Sequence, residues 1–369
     1  MELKFFLEKM VELNGSDLFI TVDRPPTLKT KGRLIELDSE ALCEKQVSLM
    51  LKSIMTEAQQ REFENTKECQ FAYDIPGISR FRASTFMQKD VPGAVIRRIQ
   101  STIPNYKSLG IPDVLTDLIM YKRGLVIFVG GTGAGKSTSL ASLINYRNQN
   151  SSGHIITIED PIEYIHPQLG CIVTQREVGI DTSSFQIALR NVLRQAPDVI
   201  QIGEVRDGET MQHAITFAET GHLCVCTMHA NNASQAIDRI LHFFPEDMHR
   251  QLFLDLSLNL RGIVAQQLIN SADSKHSYPV FEILINTPLA ADIIRKGDVT
   301  GLKNLIKNSP EQGMQTFDQA LFEMYSAGKI QYKDALSFAE SRNEVRLMIK
   351  LAENVNPFET DVMQLVEPH

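Results

Sequence analysis

The stretch GLVIFVGGTGAGKSTS at residues 124–139, in which an apolar run leads into a glycine-rich loop, constrains the fold more than any other. The loop fits the pattern G-x-x-x-x-G-K-[ST]. Its glycines allow successive backbone N–H groups to turn towards an anion, and the helix that follows directs its positive N-terminal end at the same place. Because an apolar strand precedes the loop and a helical pattern follows it, a merely flexible turn is the weaker interpretation. The segment predicts a bound nucleoside triphosphate.

The predicted nucleotide contacts are the residues of this loop and of the first turn after it. They are Gly130, Gly131, Thr132, Gly133, Ala134, Gly135, Lys136, Ser137 and Thr138. We expect Lys136 to reach the β- and γ-phosphates and the Ser137 hydroxyl to ligate Mg²⁺. ATP and Mg²⁺ are therefore the predicted cofactors.

Apolar runs of the same kind recur along the middle of the chain and alternate with helical patterns. HIITIED, DVIQIGE and HLCVCTMH, at 154–160, 198–204 and 222–229, have the character of strands that are buried on both faces. This alternation predicts an α/β domain with an open, largely parallel sheet. The ligand of such a sheet lies at the carboxyl ends of its strands.

Acidic residues end two of these runs. Glu159 and Asp160 end HIITIED, and Glu204 ends DVIQIGE. One carboxylate that holds a metal ion and a second that orients the attacking water are the minimum for phosphoryl transfer to water. Capping of helices by Asp160 and Asp207 is the alternative use of acids at such positions. We expect Glu159 and Glu204 to be catalytic and Glu204 to be a metal ligand.

The chain of 369 residues exceeds the usual size of a single domain, so two domains are expected. ECQFAYDI and SRFRASTFMQ alternate apolar and polar residues on either side of Pro76 and Gly77, which predicts a hairpin in the first domain. The predicted divisions are a small α/β domain, a linker, a nucleotide-binding core, a mainly helical segment and a loosely held acidic tail: 1–100, 101–112, 113–270, 271–342 and 343–369.

Charge and hydropathy limit the classes of partner. The net charge of −8 argues against a dominant nucleic-acid surface, so a nucleic-acid translocase on the same core fits less well. No segment approaches the roughly 18 to 20 consecutive apolar residues of a spanning helix, and the first residues do not read as a signal peptide. The 5 cysteines are odd in number and irregularly spaced, which favours reduced thiols in a cytoplasmic protein over disulfides. We expect a cytoplasmic protein with no nucleic-acid partner and no direct membrane insertion.

Four motifs in order make the chain resemble the ATPases of type II and type IV secretion and of type IV pilus machines. After the phosphate loop they are IITIEDPIEY, APDVIQIGEVRDGET and TGHLCVCTMHAN, at 155–164, 196–210 and 220–231. GSDLFITVDRPP and SRFRASTF extend the resemblance to about residues 1–340. The chain is short and lacks the four-cysteine cluster of many assembly ATPases, so it is similar to the pilus retraction branch of the family.

The resemblance implies a PAS-like N-terminal domain joined to a RecA-like ATPase domain, in a hexameric ring with ATP between subunits. Glu159 matches the family's water-activating glutamate, and Glu204 matches the Walker B acid near Mg²⁺. His222 and His229 match paired histidines that link the nucleotide state to the subunit interface. Taken alone, a histidine in such a strand is more often a satisfied core residue.

Two arginines of the first domain also match the family. Arg82 and Arg97, which are 15 residues apart, correspond to arginines that reach ATP from the first domain. Arg80 is the alternative if the strand register differs. Without the resemblance, these arginines would be interpreted as ordinary exposed cations of β-strands.

One segment departs from the pattern of the principal retraction ATPase, which carries an AIRNLIRE-like sequence. Here the matching stretch is GLKNLIKN at 301–308, with Lys303 and Lys307 in place of arginine. Lysine does not reproduce the bidentate fork of a guanidinium group. This departure and the tail after residue 343 are similar to the accessory retraction ATPase of the branch.

The resemblance implies an ATP-hydrolysing hexameric motor at the cytoplasmic face of the inner membrane, at the base of a pilus machine. It would drive or assist pilus retraction and twitching motility together with a PilT-like ATPase, and it would act on an inner-membrane platform protein. The alternative is an ATP-binding adaptor that recruits the retraction motor and hydrolyses little ATP itself. The changed GLKNLIKN segment favours the adaptor, whereas the presence of both Glu159 and Glu204 counts against it.

Overall fold

The structure is a computed structural model that describes residues 2–30, 33–37, 40–99, 102–273 and 276–355. The chain forms two compact units. The first comprises Met1–Ile103, Ile156–Leu169 and Val173–Asn191, and the second comprises Pro104–Ile155, Gly170–Ile172 and Val192–His369. The predicted core at 113–270 differs from this division, because the segment that carries most of IITIEDPIEY groups with the first unit.

The first unit contains a six-stranded antiparallel sheet and three helices near the start of the chain. In chain order these elements are α1 (Leu3–Glu12), β1 (Asp17–Ile20), β2 (Thr27–Thr30), β3 (Arg33–Glu36), α2 (Glu44–Lys52), α3 (Glu57–Thr66), β4 (Glu68–Ile75), β5 (Ser79–Gln88) and β6 (Val91–Ile99). The strands lie in the order β3-β2-β1-β6-β5-β4. The predicted hairpin is β4 and β5, and Gly77 in its turn has a φ of +76° that suits glycine.

The remaining strands form a second sheet, surrounded in the sequence by helices. The first of these elements are α4 (Val114–Met120), β7 (Gly124–Val129), α5 (Lys136–Asn150), β8 (Gly153–Glu159), β9 (Cys171–Glu177), α6 (Phe185–Val192), β10 (Val199–Ile202), α7 (Gly208–Glu219) and β11 (Leu223–Met228). The later ones are α8 (Ala233–His242), α9 (His249–Asn259), β12 (Leu260–Asn270), β13 (Ser277–Ile285), α10 (Pro288–Arg295), α11 (Val299–Lys307), α12 (Phe317–Ser326), α13 (Tyr332–Phe338) and α14 (Arg342–Val355).

The second sheet has the strand order β13-β12-β7-β11-β10-β8-β9. Strands β12, β7, β11 and β10 run parallel to one another, whereas β13 is antiparallel to β12. Every residue of β7, β10 and β11 is buried, as the continuous apolar runs predicted. The carboxyl ends of these three strands therefore meet at one edge of the sheet, and this edge positions the functional residues of the second unit.

One prediction about the C-terminal part differs from the structure. The segment 271–342, expected to be mainly helical, contains α10 to α13 and also the strand β13, whose short apolar run cannot be distinguished from a buried helix by periodicity alone. The tail predicted from residue 343 is instead the helix α14 as far as Val355, because Val345 and Ile349 at helical spacing are buried. Residues 356–369 lie outside the described residues.

The described helices include none whose length and hydropathy would suit a membrane span. All 5 cysteines are free thiols, and Cys224 and Cys226 are buried within β11.

Candidate active site

The phosphate loop joins the carboxyl end of β7 to the first turn of α5. Gly133 and Gly135 have φ angles of +78° and +83°, which would strain any residue with a side chain. A Cβ at Gly130 would lie 2.5 Å from the carbonyl oxygen of Gln266, whereas a Cβ at Gly131 would meet nothing within 4 Å. The close approach of β12 therefore requires glycine at position 130 but not at position 131.

Lys136 lies at the N-terminus of α5, and its side chain folds back onto the loop. Its ammonium group donates hydrogen bonds to the carbonyl oxygens of Gly130 at 2.7 Å and Gly131 at 3.0 Å. Phosphate oxygens are stronger acceptors for an ammonium group than neutral carbonyls. Ser137 is exposed beside it in the same turn, and its hydroxyl oxygen is a suitable ligand for a hard cation such as Mg²⁺.

Glu204 follows β10 and contacts the side chains of His229 and Arg206. Its Oε1 lies 2.9 Å from Nε2 of His229. Its Oε2 accepts a hydrogen bond from Nε of Arg206 at 2.8 Å and lies 2.6 Å from Nη2 of the same guanidinium group. The Thr227 hydroxyl donates to the carbonyl oxygen of Gly203 at 2.5 Å and so ties the start of this loop to β11. The structure therefore brings two of the predicted residues, Glu204 and His229, into direct contact.

The two predicted histidines lie at opposite ends of β11. At a rise of about 3.3 Å per residue, the strand of 6 residues between them separates their Cα atoms by roughly 23 Å. Nδ1 of His222 lies 3.2 Å from Oγ1 of Thr220 and 3.3 Å from the carbonyl oxygen of Phe217, at the end of α7. The two histidines thus do not share a site on one subunit, and their common role at a subunit interface stays a prediction.

A cavity of about 410 Å³ opens beside the phosphate loop. Gly130 and Gly131 line it together with His229 and one face of α8. The α8 residues are Gln235, Asp238, Arg239 and His242. None of these four residues was predicted from the sequence. Their spacing of three and four is that of one helix face, and this polar pattern directly after TGHLCVCTMHAN was the available signal.

Glu159 ends β8 and is half-buried in the first unit. Its Oε1 accepts hydrogen bonds from the Thr157 hydroxyl at 2.6 Å and from the Gln175 amide at 3.2 Å. Burial raises the pKa of Glu159 to about 7, although these two hydrogen bonds act to lower it. A carboxyl group that titrates near neutral pH is suited to general base catalysis, which is what activation of water requires.

Arg82 and Arg97 are directly opposite each other on β5 and β6. Directly opposed residues of antiparallel strands lie on the same face, so the two arginine side chains project from one face of the sheet. Both line a cavity of about 260 Å³ within the first unit, together with residues 161–164. Arg80, the alternative, lies 3.8 Å from Asp74 and does not line this cavity.

Each of these two arginines has an acidic partner. Nε of Arg82 lies 3.8 Å from Oε1 of Glu177, which is buried, and Arg82 also donates to the Gln70 side chain at 2.8 Å. Burial raises the pKa of Glu177, against the effects of a backbone hydrogen bond and of Arg82. Arg97 donates to Asp17 at 2.8 Å. Both arginines that line the cavity are therefore paired with carboxylates.

Comparison with known proteins places the chain among pilus and secretion ATPases. The family model described as type II/IV secretion system protein matches residues 10–316. The chain is 59% identical over 351 residues to the type IV pilus ATPase PilU of Pseudomonas aeruginosa, a match that covers 95% of this chain and 92% of PilU. It is 36% identical over 354 residues to the type IV pilus retraction ATPase PilT of the same organism, which covers 96% of this chain and 100% of PilT.

Solved structures confirm the expected α/β fold class. The crystal structure of the pilus retraction motor PilT with bound ADP matches with a TM-score of 0.88 at 37% identity, over 94% of this chain and 99% of that one. The ATPase DotB of Legionella pneumophila, at 24% identity, has the same fold with a TM-score of 0.75, over 91% of this chain and 95% of that one. This chain belongs to the type II/IV secretion system protein family, in its type IV pilus retraction ATPase branch.

Proposed function

We propose that the chain is a Mg²⁺-dependent ATPase that assists type IV pilus retraction together with a PilT-like motor. The observation that carries the proposal is the contact between Glu204 and His229, 2.9 Å apart at the sheet edge from which the phosphate loop also starts. The full-length similarity to PilU and PilT and the ADP in the solved PilT structure support it.

In this proposal the phosphate loop binds the β- and γ-phosphates through its backbone N–H groups. Lys136 exchanges its bonds to the carbonyl oxygens of Gly130 and Gly131 for bonds to phosphate oxygens. Ser137 and Glu204 would hold Mg²⁺, which neutralises developing charge on the phosphates when it is bound. His229 and Arg206 fix the orientation of the Glu204 carboxylate.

We assign Glu159 the role of general base. Its match to the family's water-activating glutamate and its pKa of about 7 support this role. The Glu159 carboxylate would accept a proton from water as the water oxygen bonds to the γ-phosphorus and the bond to ADP breaks. The assignment leaves Glu204 with the metal.

We further propose that six copies form a ring at the cytoplasmic, inner-membrane base of the pilus machine, where they act on a platform protein. Arg82 and Arg97 would then bind the γ-phosphate held by a neighbouring subunit. Arg82 is suited to this exchange because its contact with Glu177 is long, at 3.8 Å, whereas a phosphate group accepts a guanidinium through two parallel hydrogen bonds. His222, at the far end of β11 from His229, would act at a subunit interface.

Phosphate release by the purified full-length chain tests the proposal, with and without a PilT-like partner. We expect Lys136→Ala to lower ATP turnover by about 100-fold or more, because it removes a charge that stabilises the transition state. Lys333→Ala, at an exposed position on α13, serves as the matched control. Unchanged turnover in Lys136→Ala would contradict the hydrolytic site. ATP binding without phosphate release, alone and with the partner, would instead support the adaptor.

A further inference from the structure

Glu340 lies just before the C-terminal helix α14 and joins two distant elements through its carboxylate. One oxygen accepts a hydrogen bond from the side-chain amide of Asn232 at 2.7 Å, across 108 positions of sequence. The other accepts a hydrogen bond from the ammonium group of Lys303 at 2.5 Å. Asn232 caps α8, and Lys303 lies on α11 within GLKNLIKN. One side chain therefore connects the helix beside the phosphate cavity to the segment that departs from the principal retraction motor.

A buried carboxylate fixes the backbone at this junction. The N–H groups of Glu340 and Ser341 donate to the two side-chain oxygens of Asp318, at 2.8 and 3.0 Å. Asp318 is 4% exposed. Because a buried acceptor sets the position of residue 340, the Glu340 carboxylate is better located than that of an ordinary surface ion pair.

Asn232 transmits this position to the wall of the phosphate cavity. Its side-chain oxygen accepts a hydrogen bond from the Gln235 N–H at 2.9 Å, while its amide nitrogen donates to Glu340. Buried Glu282 accepts a hydrogen bond from the Ala233 N–H at 2.9 Å and holds the same helix end from the other side. Gln235 and Asn231, the neighbour of Asn232, both line the cavity beside the phosphate loop. A displacement of Glu340 would therefore shift Asn231 and Gln235 at the cavity.

We propose that Glu340 is a positioning residue for the nucleotide site, which holds the Asn231 and Gln235 wall through Asn232 and couples it to Lys303 on α11. The inference rests on the proposed function only in taking ATP and ADP as the ligands. Coupling of this kind is reciprocal, so bound nucleotide stabilises the junction as much as the junction favours nucleotide.

The chain offers a matched control one helical turn away. Lys307 of α11 pairs with Glu344 of α14. This is again a lysine–glutamate pair, and its lysine is about as exposed as Lys303. Within the described residues, neither of these two side chains contacts α8. The second pair therefore reports what loss of a lysine–glutamate contact does by itself.

The experiment compares four glutamine variants and one arginine variant of the full-length chain in ADP binding and in ATP hydrolysis. We expect Glu340→Gln and Lys303→Gln to raise the dissociation constant of ADP and the KM for ATP by about threefold to tenfold, with kcat changed by less than about twofold. Glu344→Gln and Lys307→Gln should change neither constant by more than about 1.5-fold, although all four lower the melting temperature similarly. Lys303→Arg, which can still donate to Glu340, should retain nucleotide affinity.

An equal effect of Glu340→Gln and Glu344→Gln on the dissociation constant of ADP would overturn the inference. A double-mutant cycle between Glu340→Ala and Asn232→Ala provides the second measurement, and additive effects on ADP binding would also overturn it. Absence of hydrolysis in the unmodified chain would contradict the proposed function but not this inference, because the binding measurements do not depend on turnover.

Discussion

The carboxyl group of Glu159 has a pKa of about 7 because it is buried, and Thr157 and Gln175 oppose this rise through their hydrogen bonds. The sequence indicated Glu159 as a catalytic acid from its place at the end of an apolar run. Its titration range depends on Gln175, which comes from a different strand and became visible only in the folded chain.

We predict that kcat increases with pH with an apparent pKa of about 7, because a general base must be ionised to accept a proton. Thr157→Val keeps the shape of this buried side chain but removes a hydrogen bond that lowers the pKa of Glu159. The increase in kcat should therefore occur at higher pH. Turnover measured between about pH 5.5 and 9 checks this. An unchanged apparent pKa of kcat in Thr157→Val would mean that another group titrates.

The same group affects stability in a defined direction. Its pKa in the folded chain, about 7, lies above the ordinary value of 4.5, so the folded state binds more protons between these values. Its favourable contribution to the free energy of unfolding is therefore full below about pH 4.5 and is lost as the pH rises through about 7. Glu159→Gln should remove this part of the pH dependence in thermal unfolding.

The two adjacent glycines that open the phosphate loop make a second prediction for single residues. Gly130→Ala places a Cβ 2.5 Å from the Gln266 carbonyl oxygen, whereas Gly131→Ala places it in open space. We expect the first substitution to weaken ADP binding by about tenfold or more and the second by less than about twofold, since only the first displaces backbone. Equal affinities in a titration with ADP would show that the contact with β12 does not shape the loop.

At the scale of elements, α14 shows why a tail was predicted where the structure has a helix. Acidic residues outnumber basic ones after residue 343, and among the described residues of that stretch only Val345 and Ile349 are buried in the core. Leu347 and Leu351 lie on the exposed side of the same helix. The sequence pattern alone does not tell which of these apolar residues finds a partner surface.

This assignment predicts a contrast within one helix. Ile349→Ala should lower the free energy of unfolding by about 2 to 4 kcal/mol, because it removes methylene groups from a packed site. Leu347→Ala, at a position 58% exposed, should change it by about 0.5 kcal/mol or less. Denaturant unfolding of the two variants measures the difference. Similar losses would mean that α14 does not pack on the face described.

At the scale of the whole molecule, the proposed ring places each ATP between two subunits. Lys136 would act on the nucleotide of its own subunit, and Arg82 and Arg97 on that of a neighbour. These groups belong to different compact units of the chain, with Lys136 in the second and the arginines in the first.

Co-expression of two inactive variants tests this arrangement. We expect Lys136→Ala and Arg82→Ala each to lose ATP turnover, whereas mixed rings should recover part of it, because some interfaces combine an intact lysine with an intact arginine. The Lys136→Ala and Glu204→Gln pair is the control, since both residues lie in the second unit and mixing cannot restore a site. Mixed rings as inactive as the control would place Arg82 and Lys136 at the same subunit's nucleotide.

The sequence by itself determined the phosphate loop, the buried strands β7, β10 and β11, and the hairpin of the first unit. These features depend on glycine positions and on local periodicity, which act within a few residues of chain. The ends of the apolar runs also indicated the acids Glu159 and Glu204. The family resemblance added the histidines and the arginines, and the comparisons bear out the family and the fold class.

Only the tertiary structure decided which of these side chains meet. It brought His229 to Glu204, separated His222 from them by the length of β11, and set a face of α8 against the phosphate loop. It also joined Glu340 to Asn232 and Lys303. Such contacts depend on how strands and helices far apart in sequence pack together, and no local pattern of residues encodes that packing.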